Sequence, residues 1–187
     1  MKVSGLLVFT CAAALSIGCN GRHKTDDAVA TSGTNAISTS DRNFVNDQLS
    51  GGMAEIQLGQ LAKEHAASAD VKQFAQMMID DHTKASDQLK QVASSNAIPQ
   101  QPQIDSKEQS LMDKLSKLNG PDFDKAYMKA MVDDHEKDVS DVKSRVDKDR
   151  PKSSDDRVTM AVNQWAAETL PTLEHHLDSA KQIKNKL

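Results

Sequence analysis

The sequence predicts an all-α protein, a bundle of four long helices with one long crossover between the second and the third. No long stretch alternates apolar and polar residues with the period of two that a half-buried strand requires. Apolar residues instead recur at three- and four-residue spacing over most of the chain. The 147 residues from 41 to 187 are enough for one domain with a single core.

The first 18 residues have the features of an export signal. Lys2 is followed by an apolar run of 15 residues, shorter than the ~20 residues of a membrane-spanning helix. Residues 15–19, Leu-Ser-Ile-Gly-Cys, resemble the lipobox of bacterial lipoproteins, except that Ser16 stands where an aliphatic residue is usual. The pattern favours a lipid anchor on Cys19, with the protein on the periplasmic side of the outer membrane. The alternative is a soluble periplasmic protein.

Residues 19–40 predict a disordered tether, because they are rich in Ser, Thr, Asp, Gly and Ala and show no periodicity. The leader contains one Lys, so the mature chain has 22 basic and 27 acidic residues and a net charge of −5. A mildly acidic chain with six aromatic residues argues against a nucleic-acid partner. Cys11, the only cysteine besides Cys19, lies in the leader, so no disulfide framework is expected.

The first two long helices are predicted to form an antiparallel hairpin. Helix one is expected over about 41–66, and its Gly51-Gly52 pair lowers helix propensity by roughly 1 kcal/mol per residue. Such a pair would admit a neighbouring helix closely. Ser68 is a good N-cap for helix two, expected over about 68–96.

The other two long helices form a second predicted hairpin, after a connection of 24 residues. This segment, 97–120, contains two prolines and a short helix, and it can carry the chain back along the bundle. Helix three is expected over about 120–148, and helix four from a cap at Ser153 or Ser154, with a kink at Pro171. Helices two and three then run parallel. Two hairpins joined by one crossover form the ferritin-like topology.

Two six-residue segments, Met77–His82 and Ala130–His135, are identical at four of six positions, and 53 residues separate their histidines. Each histidine lies on the apolar stripe of a long helix, where bundle cores and their metal sites are built. Counting from the predicted turns puts Glu55, His82 and His135 at one level of the bundle. One carboxylate and two imidazoles suit a divalent transition metal such as zinc, iron, manganese or copper.

The acidic pairs before each histidine, Asp80-Asp81 and Asp133-Asp134, point away from the ring that follows them, since adjacent helical residues do not face one another. They are interpreted as solvated groups or as groups that support the site indirectly.

His176 and Glu168 of helix four are the candidates for a fourth metal ligand. His176 lies on the apolar stripe, but counting from the break at Pro151 puts it nine residues, ~13 Å, from the level of His135. Glu168 is at the better level, although it lies nearer the edge of the stripe. A metal-free interpretation is also open, in which these are core histidines hydrogen-bonded to Glu55 or to each other.

Four blocks of this sequence occur in the same order in one bacterial family. They are Phe44…Glu55-Ile56-Gln57-Leu58-Gly59, Phe74-Ala75…Asp81-His82, Phe123-Asp124-Lys125-Ala126-Tyr127…His135 and Leu170-Pro171-Thr172-Leu173…His176-Leu177. Over 41–187 the chain resembles this domain-of-unknown-function family, which has a ferritin-like fold and is often labelled "predicted outer membrane protein". The resemblance implies the fold and no established activity.

Several enzyme classes are disfavoured by missing motifs. Ferritin-like di-iron enzymes carry Glu-x-x-His on two helices, whereas an apolar residue stands three positions before each of His82, His135 and His176. The sequence also has no CxxC, HExxH or glycine-rich phosphate loop. The sequence favours an exported, non-enzymatic helical bundle that binds a protein partner or has a role in the response to stress. The alternatives are a metal-binding module with a Glu/His site and a redox enzyme with an atypical iron centre.

Overall fold

The computed structural model describes residues 37–148 and 156–187, and this part of the chain contains five α-helices and no strand. The helices are α1 (Thr39–His65), α2 (Ala69–Ser95), α3 (Ser106–Leu115), α4 (Gly120–Lys148) and α5 (Arg157–Lys184). The predicted all-α class is therefore confirmed. The predicted export signal, Cys19 and the predicted tether up to residue 36 lie outside the described residues. Among the helices described, none is both long and apolar enough to span a bilayer.

Two helices begin at residues other than those predicted, and a side chain caps each of them. Ser38 caps α1 by accepting a hydrogen bond from the backbone N–H of Asp41 at 2.9 Å, so the last two residues of the predicted tether belong to α1. Asp156 caps α5 by accepting from a backbone N–H in the first turn. The cap is therefore Asp156 and not Ser153 or Ser154 as predicted, since a capping side chain directly precedes the helix; both serines lie outside the described residues.

Contacts near the helix ends show the direction of each long helix. The short turn between α1 and α2 makes them antiparallel. At the start of α4, the Asp124 carboxylate accepts hydrogen bonds from the backbone N–H groups of Ala67 and Ser68 in that turn, at 3.1 and 2.9 Å. Near the end of α4, Arg145 pairs with Asp41 at the start of α1. Hence α4 runs antiparallel to α1 and parallel to α2, as the crossover prediction requires.

Close approach of α1 to α2 depends on two glycines of α1. A Cβ on Gly59 would lie 2.9 Å from Cγ1 of Ile79 and 3.0 Å from a backbone oxygen of α2, and a Cβ on Gly52 would lie 2.8 Å from Oγ of Ser86. Gly51 has no such neighbour within 4 Å. The packing role predicted for the Gly51-Gly52 pair therefore belongs to Gly52 alone, while Gly59 contributes a second close contact.

The core consists of two apolar clusters, one toward each end of the bundle. The cluster nearer the α1–α2 turn includes Leu58, Phe74, Met78, Tyr127, Met131 and Ala180. The cluster at the other end includes Val45, Leu49, Leu89, Val142, Val162 and Leu173. Between the clusters, each of the four long helices contributes one buried polar side chain: Glu55, His82, His135 and His176. These four side chains form a polar layer across the middle of the bundle.

Candidate metal centre

Three imidazole rings meet in this layer, one each from α2, α4 and α5. The ring centroids of His82 and His135 are 5.7 Å apart, those of His82 and His176 5.3 Å, and those of His135 and His176 5.4 Å. One ring nitrogen from each histidine lies within 4.8 Å of the corresponding nitrogens of the other two. The residues are 7%, 0% and 1% exposed, respectively. This spacing would allow a single ion to contact all three rings.

Glu55 reaches the same layer from α1. Its Oε2 lies 2.9 Å from Nδ1 of His82, and its Oε1 lies 3.4 Å from Nδ1 of His135. The prediction that Glu55, His82 and His135 share one level is therefore confirmed. The prediction was reliable because the levels of all three residues are counted from one place. Glu55 and His82 are counted from the short α1–α2 turn, and His135 from the start of α4, which is hydrogen-bonded to that turn.

The predicted 13 Å offset of His176 is wrong, and the register of α5 against α4 explains why. Arg145 donates a hydrogen bond to Asn163 at 2.6 Å, so these residues lie opposite each other. The position midway between them is 154, three residues beyond the Pro151 break from which the prediction counted. From there, His135 and His176 differ in level by three residues, about 4.5 Å.

Glu168, the other candidate for a fourth ligand, is not part of the site. Its side chain is exposed on α5 and accepts a hydrogen bond from Gln164 at 2.9 Å. The sequence placed it at the level of His135 only because the count started from position 151, whereas the register shown by the contact between Arg145 and Asn163 corresponds to position 154. The structure brings together Glu55, His82, His135 and His176 and leaves Glu168 on the surface.

Each ring in the layer has one nitrogen in contact with an acceptor and one nitrogen without a partner. The contacts are Nδ1 of His82 with Glu55 (2.9 Å), Nδ1 of His135 with the backbone oxygen of Met131 (3.0 Å) and Nε2 of His176 with Asp81 (2.9 Å). The remaining nitrogens are Nε2 of His82, Nε2 of His135 and Nδ1 of His176. All three are buried and have no hydrogen-bond partner in the described part of the chain. Buried polar atoms in proteins normally have one.

Burial keeps the rings neutral. It lowers the pKa of His82 to about 4 and, together with the neighbouring rings, the pKa of His135 to about 3. Burial also lowers the pKa of His176, although its hydrogen bond to Asp81 acts in the opposite direction. Neutral imidazole is the form that offers a lone pair to a metal ion, so the rings need no deprotonation near pH 7.

The acceptors around the rings are the kind that accompany metal-binding histidines. Such a histidine usually donates its other ring N–H to a carboxylate or a backbone carbonyl, which fixes the tautomer and the orientation of the ring. Asp81 does so for His176 across the α2–α5 interface, and the Met131 carbonyl does so for His135 within α4. Sequence reasoning missed the partner of Asp81, because it considered only the histidine that follows Asp81 in the chain.

A small cavity of about 30 Å³ adjoins the layer. Its lining includes Glu55, His82, Ser86, Asp138 and Trp165. A polar cavity of this size has room for about one water molecule. A water molecule in this cavity could be an additional metal ligand, and the cavity could be part of the path by which an ion reaches the rings.

Comparisons with known proteins identify a family and a fold. The family model for a domain of unknown function, DUF4142, matches residues 26–183. A solved structure with a similar fold is the crystal structure of a DUF305 fragment from Deinococcus radiodurans, with a TM-score of 0.68 and 13% sequence identity, covering 80% of this chain and 98% of that one. At this identity the likeness concerns the fold alone. No curated protein matches the chain.

Proposed function

The chain belongs to the DUF4142 family, a domain of unknown function, and we propose that it acts as a metal-binding module. One divalent transition-metal ion would be held in the middle of the bundle by Nε2 of His82, Nε2 of His135 and Nδ1 of His176.

The observation that carries this proposal is that three buried histidine rings converge and that each ring has one nitrogen without a partner in the described chain. An unsatisfied buried polar atom costs about 1–3 kcal/mol, so partners for these three nitrogens would stabilise the fold. The alternative of self-satisfied core histidines requires the rings to pair with Glu55 or with each other. Of the His82 ring, Glu55 contacts only Nδ1, and of the His176 ring, Asp81 contacts only Nε2. The other nitrogen of each ring has no hydrogen-bond partner within the described chain. A bound ion would satisfy all three at once.

Glu55 has a supporting role in this proposal. The sequence predicted it as a ligand, but its carboxylate contacts Nδ1 of His82, and the unpartnered nitrogen of that ring is Nε2. The two nitrogens lie on different sides of the imidazole. Glu55 therefore orients His82, as Asp81 orients His176.

The donor set narrows the choice of metal. Imidazole nitrogens suit zinc, copper, nickel and iron, whereas manganese prefers oxygen ligands. Among the metals predicted from the sequence, Cu²⁺ and Zn²⁺ bind nitrogen ligands more tightly than Fe²⁺. Three protein ligands also leave one position of a tetrahedral zinc site open for water.

We place this module in the cell envelope on the basis of the leader. In this proposal Cys19 carries a lipid anchor and holds the domain on the periplasmic side of the outer membrane, where it could also bind a protein partner. If so, Cys19→Ser moves the protein from the membrane fraction to the soluble fraction. Retention of the variant in the membrane fraction would contradict the anchor.

Metal binding is tested with protein purified without an affinity tag and stripped with a chelator. We expect one equivalent of Zn²⁺ or Cu²⁺ to bind tightly in a calorimetric titration, with elemental analysis confirming the stoichiometry. His176→Ala should weaken this binding at least 100-fold. His175→Ala is the matched control, because His175 is the exposed neighbour on the same helix. Equal affinity of the two variants, with both folded by circular dichroism, would rule out the proposed site.

A further inference from the structure

A second group of potential ligands adjoins the imidazole rings. Asp134 and Asp138 are four residues apart on α4 and therefore share a face of that helix. One carboxylate oxygen from each lies within 4.8 Å of the other and of an oxygen of Glu55. Glu55 is 1% exposed, and the two aspartates are half-buried. Three carboxylates thus converge at a place that is largely shielded from solvent.

The two aspartates have no salt-bridge partner in the described chain, whereas Glu55 contacts Nδ1 of His82 and Nδ1 of His135. Within 37–148 and 156–187, neither Asp134 nor Asp138 forms a salt bridge with a lysine or an arginine. Lys137, which lies between them in sequence, pairs instead with Asp141 at 2.8 Å. Lys107 and Lys137 are near enough to Asp134 to act on it electrostatically, but without contact.

Glu55 supplies an independent sign that a ligand is missing. Its Oε1 is fully buried and accepts no hydrogen bond in the described chain, because Nδ1 of His135, 3.4 Å away, contacts the backbone oxygen of Met131 instead. The cavity of about 30 Å³ is lined by both Glu55 and Asp138 and can hold about one water molecule. Three carboxylate oxygens with water beside them are the donors that Mn²⁺, Mg²⁺ and Ca²⁺ prefer.

We propose that Glu55, Asp134 and Asp138 form a second cation position, for a divalent ion that prefers oxygen ligands, beside the imidazole site. Glu55 lies between the two positions. Its Oε2 contacts Nδ1 of His82, and one of its oxygens lies within 4.8 Å of an oxygen of each aspartate. The inference extends the proposed function, since the bundle would then hold two ions of different chemical preference.

Charge repulsion gives the cation its stabilising effect. Three carboxylates this close together cannot all be ionised without a positive charge among them. A divalent ion among the three carboxylates would offset this repulsion.

The probe for this position is Mn²⁺, whose unbound form gives a six-line electron paramagnetic resonance signal. The protein is first loaded with one equivalent of Zn²⁺ and then titrated with Mn²⁺. We expect one Mn²⁺ per chain to bind, with a matching loss of the free signal. Asp134→Asn and Asp138→Asn should each weaken Mn²⁺ binding at least tenfold and leave Zn²⁺ affinity within threefold. Asp141→Asn is the matched control, because Asp141 is exposed on the same helix and outside the cluster.

The outcomes separate this inference from the proposed function. Zn²⁺ binding without any Mn²⁺ binding would overturn the second position and leave the imidazole site intact. Mn²⁺ binding that Asp134→Asn and Asp138→Asn do not weaken would also overturn it, since the ion would then lie elsewhere. Mn²⁺ binding that depends on both aspartates, in a protein that binds no Zn²⁺, would support the carboxylate position and refute the imidazole site.

Discussion

Replacing Asp81 tests whether His176 is a metal ligand without altering the ligand itself. The Asp81 carboxylate accepts a hydrogen bond from Nε2 of His176 at 2.9 Å, which leaves the Nδ1 lone pair directed away from that contact. Asp81→Ala removes the acceptor. The proton of the neutral ring can then move to Nδ1, and the ring can rotate. Both changes oppose binding of an ion at Nδ1.

The size of the effect follows from the position of Asp81. Replacing the acceptor of a metal-binding histidine typically lowers metal affinity 10–100-fold, or about 1.4–2.7 kcal/mol. The Asp81 side chain is 38% exposed, so water can enter its place and the fold should be little affected. We therefore expect the loss in metal affinity to exceed any loss in the free energy of unfolding.

The assay is competition for Zn²⁺ against a chelator of known affinity, with the unfolding free energy of the metal-free protein measured in parallel. Asp80→Ala is the matched control, because Asp80 is exposed and accepts a hydrogen bond only from Gln76 of the same helix among the bonds described. A Zn²⁺ affinity of Asp81→Ala equal to that of Asp80→Ala would refute the assignment of His176 as an oriented ligand.

Three further predictions concern stability, all measured as the free energy of unfolding in urea. Gly59→Ala should destabilise by up to about 2 kcal/mol, because overpacking costs about 1–3 kcal/mol and the gain in helix propensity offsets only about 1 kcal/mol of it. Gly51→Ala has open space around it and should stabilise by up to ~1 kcal/mol, and equal effects of the two variants would contradict the close contact of Gly59. Tyr127→Phe should raise the free energy of unfolding by about 1 kcal/mol, since the buried hydroxyl has no hydrogen-bond partner in the described chain. A clear decrease would show that the hydroxyl does have such a partner. Burial alone would raise the pKa of Asp41, but hydrogen bonds from Arg145 and two hydroxyl groups hold it below its ordinary value. Asp41 therefore stabilises the fold fully above its unfolded pKa of about 4 and progressively less as pH falls through its lower folded pKa. Asp41→Asn should remove this pH dependence of the unfolding free energy. Arg145→Ala should lower the unfolding free energy by about 3–5 kcal/mol at pH 7, and a loss below 1 kcal/mol would contradict a buried ion pair.

Much of the fold and part of the site could be predicted from residue periodicity and loop length. Three- and four-residue spacing shows which side of a helix faces the core, and it correctly placed His82, His135 and His176 on buried faces. A short turn after α1 and a long connection after α2 indicated that α4 runs parallel to α2. Glu55 could be assigned to the level of two histidines because it lies nearly as far before the turn as His82 lies after it.

The level of His176 could not be predicted in this way. Position along a helix axis depends on where the preceding connection turns, and an error of three residues shifts a side chain by about 4.5 Å. The contact between Arg145 and Asn163 sets this register, and it joins residues from two helices that local sequence does not relate. The same error in level explains why the sequence predicts Glu168 as a candidate ligand, although its side chain lies on the surface.

Residue order along the chain is enough to specify a bundle of amphipathic helices with imidazoles on their buried faces, because both properties depend on neighbours within one helix. Packing between helices is needed to specify which nitrogen of each ring has no partner in the described chain, and that Asp134 and Asp138 converge with Glu55. Those features depend on side-chain orientation and on contacts between helices distant in sequence. A hydrogen bond such as that between His176 and Asp81 forms only when two helices pack in one register.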